Sequence, residues 1–146
     1  MSFIEMVKLF ENEYITILID EKEKLLVYTI NGYPKFSDII RNGHDRIFEI
    51  VKENNNTKPI RNVIADLRLA KILLNPDIQF IAKTSYPRLS KAGIENLVIL
   101  HSGDIHVKIN VDKTIEALGP HIFTHVNVLS TIEEARDWFT NITTHK

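Results

Sequence analysis

Asn62-Val63-Ile64-Ala65-Asp66-Leu67 is a short, nearly continuous apolar run. The lack of polar alternation is the signature of a strand buried on both faces, as in a parallel sheet covered by helices. A parallel neighbour demands a crossover connection, and the flanking sequence supplies one. Upstream, Phe36, Ile39, Ile40, Gly43, Ile47, Ile50 and Val51 recur at three- and four-residue spacing, with Ser37 available as N-cap. Ser37 to Glu53 therefore reads as an amphipathic helix. Gly43 falls on its buried stripe, where close contact between helix and sheet, or the approach of a ligand, would need a residue without a side chain. Asn54-Asn55-Asn56 reads as the loop that follows.

Further upstream, Tyr14 to Ile19 and Leu25 to Ile30 are rich in β-branched and aromatic residues and flank the charged Asp20-Glu21-Lys22-Glu23-Lys24, so they read as a hairpin. Downstream, Asn75-Pro76-Asp77 starts a helix that holds Ile78, Ile81 and Ala82, with asparagine as cap and an acid near the positive end of the dipole. Pro87 should kink or end that helix, and Gly93 marks the turn into a strand from Asn96 to His101. Ile105 to Leu118 fits both periods, since Ile105, Val107, Ile109 and Val111 alternate while Val107, Val111, Ile115 and Leu118 repeat helically. We expect a helix there, stopped by Gly119-Pro120. Ile122 to Leu129 reads as a strand. Ser130-Thr131-Ile132-Glu133 reads as a capping box opening a helix with Ala135, Trp138, Phe139 and Ile142 on one face. The expected fold is α/β: a mixed, mostly parallel five-stranded sheet with an N-terminal hairpin and about four covering helices.

The chain has 146 residues, 44% hydrophobic and 25% charged, which suits one ordinary domain with a core near residues 14 to 140. Residues 1 to 12 form an extension whose Phe3, Ile4, Met6, Val7 and Phe10 have helix-like spacing and need a groove, on this domain or on a second copy. With no cysteine, thiol nucleophiles, Cys-ligated metals and disulfides are excluded. A net charge of −1 argues against a general nucleic-acid or anionic-membrane binder. The N-terminal stretch lacks a basic leader and a cleavage site, and no run approaches the ~20 apolar residues of a membrane span. The expected location is cytoplasmic.

The element order resembles the STAS superfamily, and local stretches are similar to its bacterial SpoIIAA-like branch. These are Ile64-Ala65-Asp66-Leu67-Arg68, then Tyr86-Pro87-Arg88 with Ala92-Gly93-Ile94, and the terminal Ser130-x-x-Glu133-Glu134-Ala135-x-x-Trp138-Phe139. The resemblance implies small non-enzymatic domains, some regulatory through protein partners and others similar to lipid-transfer modules. In the regulatory members a phosphorylatable hydroxyl opens the helix after the third strand. Here that stretch, Arg68 to Asn75, contains no serine or threonine, so the phospho-switch has no acceptor at that place.

Ligands of open α/β sheets usually sit beyond the carboxyl ends of the parallel strands. Three segments project there: Asp66-Leu67-Arg68, His101-Ser102-Gly103-Asp104 and Ser130-Thr131. Ser102 and Gly103 could offer backbone N–H groups to an anion and Arg68 a planar fork, although the same loop also reads as ordinary capping. Asp66 lies two residues from Arg68 on one strand face, placed for acid–base work with His101 or for a plain ion pair. The histidines do not suggest a metal site: His121 and His125 fall on a strand-bearing stretch rather than a helix, and His44 and His145 read as solvent-facing or terminal. No Gly-x-Ser-x-Gly elbow is present. Lys83, Arg88 and Lys91, with Tyr86 beside them, form a basic cluster and a candidate interaction surface.

The expected function is therefore that of a non-enzymatic, cofactor-free binding domain that meets a protein partner or forms a homodimer. The alternative is a carrier that holds a small anionic or lipid-like ligand between the sheet and the Asn75 to Tyr86 helix.

Overall fold

The apolar run Val63–Ala65 lies in the middle of the sheet, with Leu26–Tyr28 on one side and Leu97–Ile99 on the other. The computed structural model describes residues 6–32, 37–71 and 73–144. The strands are β1 (Val7–Glu11), β2 (Ile15–Asp20), β3 (Leu25–Gly32), β4 (Asn62–Ala70), β5 (Asn96–Leu100) and β6 (His125–Leu129). They make one six-stranded sheet in which spatial order equals chain order. β1–β2 and β2–β3 pair antiparallel, and all later pairs are parallel. The helices are α1 (Ser37–Asn54), α2 (Asn75–Phe80), α3 (Tyr86–Lys91), α4 (Ile105–Leu118) and α5 (Ile132–Thr144), and a π-helical turn, Ile81–Ser85, joins α2 to α3.

Sequential parallel strands joined by right-handed crossovers stack every connecting helix on the same face. The buried residues follow that rule. Ile17, Leu26, Val63, Ala65, Leu97 and Ile99 share a core with Ile47, Ile78, Leu89 and Val111 of α1–α4. The alternate residues Val27, Ile64, Val98 and Leu100 form a second cluster with Ile132, Ala135 and Phe139 of α5. The strand order never reverses, so the topology builds no switch-point crevice of the kind that holds ligands in doubly wound sheets. Gly43 is where α1 touches the sheet: a Cβ there would lie 2.2 Å from Ile15 Cδ1, which is the close helix-on-sheet contact its place on the stripe suggested.

Several expectations need correction. The sheet has six strands rather than five, because part of the N-terminal extension forms β1. Its three- and four-residue spacing fits a helix, but the open edge of β2 offers unpaired backbone groups that an extended segment satisfies. Phe10 packs on the core and Val7 and Leu9 stay exposed, while Phe3 and Ile4 lie outside the described residues. Asn75 is the first residue of α2 rather than its cap, with extended Leu74 preceding it.

Of the two outcomes expected at Pro87, a kink or an end, the helical path does not end: α2 gives way to a π-helical turn and then to α3. In a continued α-helix the Pro87 ring would meet the carbonyl of Lys83. The π-helical turn spans that position, the Tyr86 N–H reaches back to the Ile81 carbonyl, and Pro87 falls in the first turn of α3. β6 begins at His125 rather than Ile122, after a turn in which His121 adopts φ 75°. The capping box is shifted by one residue: Thr131 Oγ1 accepts from the Glu134 N–H at 3.1 Å and Glu134 Oε1 accepts from the Thr131 N–H at 3.1 Å. The ambiguous stretch is helix, with Asp104 as N-cap accepting from the His106 N–H at 2.8 Å.

Candidate functional site

Of the three segments expected at the carboxyl ends of β4, β5 and β6, those after β5 and β6 lie there, whereas Asp66-Leu67-Arg68 falls inside β4, which runs on to Ala70 because it keeps pairing with β3. Their polar atoms are largely spent on one another. Asp66, buried within β4, accepts from Arg68 Nε and Nη2 at 2.9 Å each and from the Arg68 N–H at 3.1 Å. That fork raises the Arg68 pKa, and it leaves both carboxylate oxygens engaged. After β5, His101 Nδ1 accepts from the Gly103 N–H at 3.0 Å, and Ser102 Oγ accepts from the Asp104 N–H at 3.3 Å. Gly103, at φ 91°, holds a conformation that suits glycine. This loop is a turn followed by a cap, which is the ordinary use of such residues.

The basic cluster around Pro87 is split by the fold. Lys83 and Lys91 are exposed. Arg88 is half-buried, bonded to Asp45 at 2.7 Å and stacked over Phe48 at 4.9 Å. Tyr86 does not belong to a surface at all: it is 2% exposed, and its hydroxyl lies 2.5 Å from that of Tyr28 in β3.

Beside that pair is a group the sequence reading placed wrongly. His44 was expected to face solvent, yet it is 1% exposed, with Nδ1 at 2.7 Å from Ser85 Oγ. Rings of Tyr28, Tyr86 and Phe80 surround it at 5.1, 6.0 and 6.4 Å between centroids. Burial, with Arg88 nearby, lowers its pKa from 6.5 to about 3, so the imidazole is neutral. Burial likewise raises Tyr86 to about 12 and Tyr28 well above the ordinary value. The π-helical turn aims Ser85 and Tyr86 inward together. One sequence signal could have placed His44: it lies four residues after Ile40 and three before Ile47, on the apolar stripe of α1.

The opposite end of the sheet holds a cleft of about 480 Å³ that the carboxyl-end rule passes over. Its walls come from the β2–β3 turn (Lys22, Glu23, Lys24), the starts of β4 and β5 (Arg61, Asn62, Glu95, Asn96) and the buried side of α5 (Arg136, Phe139). Asn62, Asn96 and His125 stand in register on neighbouring strands and bond across them at 2.9 and 3.0 Å. Arg136 Nη2 donates to Asp20 Oδ2 at 3.2 Å, and Asp20 is 1% exposed.

Among the described residues, no three His, Asp or Glu side chains gather in a way that could hold a metal ion. No helix there is long and apolar enough to cross a membrane. No family model, curated protein or solved structure matches this chain.

Proposed function

We propose that this chain is a STAS-like binding module that acts through contact with a protein and performs no catalysis. One observation carries the reading. Leu74, the residue before α2, and Ile105 and Ile109, one turn apart on α4, are 45%, 65% and 45% exposed, and α2 packs on α4. Large aliphatic side chains left exposed favour a partner that covers them, and covering each of these half-exposed side chains is worth about 1 kcal/mol. The neighbouring polar groups, Asp66, Arg68, His101 and Ser102, are engaged within the chain. They support a rigid rim better than an acid–base pair. The carrier reading would need a ligand to displace the Tyr28, His44, Phe80 and Tyr86 rings that fill the space between sheet and helix.

A photo-crosslinking residue in place of Ile105 tests this, with one in place of the exposed Lys52 as control. A protein adduct at position 105, absent at 52 and lost on adding Leu74→Asp, is the expected result. Twice the chain mass identifies a second copy, and any other protein mass identifies a different partner. Equal adducts at both positions, none at 105, or an adduct of lipid mass would overturn the proposal.

A further inference from the structure

We infer that the cleft at the amino end of the parallel strands is a binding site for a small molecule carrying a phosphate or carboxylate group. This inference stands apart from the protein-contact reading, because the site lies at the other end of the sheet. Among the described residues, four cationic side chains reach the cleft from three separate segments: Lys22 and Lys24 from the β2–β3 turn, Arg61 from the residue before β4, and Arg136 from α5. Among the described residues, two carboxylates, Glu23 and Glu95, line the same space, and Asp20 pairs with Arg136. The surplus is positive in a chain whose net charge is −1.

The two arginines are held in place before any ligand arrives. Arg61 Nη1 donates to the Gly93 carbonyl at 3.3 Å. Arg136, with a side chain 11% exposed, is anchored by Asp20 through Nη2, while its Nη1 is buried without an acceptor among the described residues. Leaving a buried donor unsatisfied costs about 1–3 kcal/mol, more for a charged group, and an anion oxygen at the cleft wall would relieve that cost. Lys24 adds a second local cost. It adopts φ 54°, which L-residues other than Asn and Asp seldom do, and its carbonyl accepts from the Arg61 and Asn62 N–H groups. The turn that presents the lysines is thereby tied to the strand that presents Arg61. Leu25 and Phe139 supply apolar wall, and the volume suits a metabolite rather than a bare ion.

Titration with inorganic pyrophosphate and, separately, with citrate, followed by backbone amide NMR, tests the site. Saturable shifts at residues 22–25, 61, 96 and 136 are expected with at least one probe, and the probe that binds identifies the head group. The variant Lys22→Gln/Lys24→Gly removes two charges without touching the core and should weaken binding about tenfold. Lys83→Gln/Lys91→Gln removes the same charge elsewhere and should leave binding unchanged. No saturable shift with either probe, shifts centred outside the cleft, or equal weakening by the two variants would overturn the inference.

Discussion

His44 should make this protein acid-labile through one identifiable proton. In the unfolded chain the imidazole titrates near 6.5, while in the folded chain burial lowers the pKa to about 3. Between those values the unfolded state binds a proton that the folded state refuses. Stability therefore falls as pH falls through the window, and this group has no effect above it. The slope approaches about 1.4 kcal/mol per pH unit, so on the order of 3 kcal/mol is lost by about pH 4.5. That is a large part of the 5–15 kcal/mol typical of a domain. Arg88 reinforces the neutral form and Asp45 opposes it, but burial dominates.

Carboxylates also titrate in acid, so the informative quantity is a difference. Urea unfolding of the wild type and of His44→Asn, which can keep a hydrogen bond to Ser85, should be compared at several pH values from 7 to 4.5. The variant is expected to start less stable and to lose stability with a shallower slope, by close to one proton. Parallel slopes, or an NMR titration of the His44 ring near 6.5 in the folded protein, would refute the reasoning.

Gly43→Ala should destabilise rather than stabilise its helix, despite alanine's better propensity. The new Cβ would lie 2.2 Å from a buried isoleucine methyl, and overpacking of this kind costs roughly 1–3 kcal/mol. Adding Ile15→Val, which removes that methyl, should recover part of the loss in thermal unfolding, and simple additivity would contradict the contact. Asp20→Ala should cost about 3–5 kcal/mol in urea unfolding, because it strands the Arg136 guanidinium, 11% exposed, without its carboxylate. A loss under 1 kcal/mol would mean that water reaches the pair. Tyr28 and Tyr86, raised by burial, should stay protonated in a spectroscopic titration until alkali unfolds the chain. The stability they contribute is present below the ordinary tyrosine pKa of 10 and is lost as pH rises above it; ionisation near 10 in the folded state would count against the buried pair.

Periodicity alone determined the α/β class, the parallel centre and the helical faces of α1 and α5, while the stretch that forms α4 fitted both periods. Alternation at period two and recurrence at three and four residues are properties of the chain that burial on one or both faces must respect. The glycine at 43 was legible for the same reason. What the sequence left open depended on partners distant along the chain. β1 is a strand because β2 has an open edge, and Val7–Glu11 by itself fits a helix as well. The helical path survives Pro87 because a π-helical turn absorbs it.

The candidate sites divide in the same way. Asp66 and Arg68, two residues apart, were readable as a pair, since strand geometry puts them on one face. Lys22, Arg61 and Arg136 are too far apart in sequence to be read together, and only the sheet order and the docking of α5 bring them to one cleft. His44 and Ser85, 41 residues apart, meet through the packing of α1 on the π-helical turn. Local patterns record which face of an element is buried, but which residues share a site is decided by packing between elements, and that is a property of the tertiary structure.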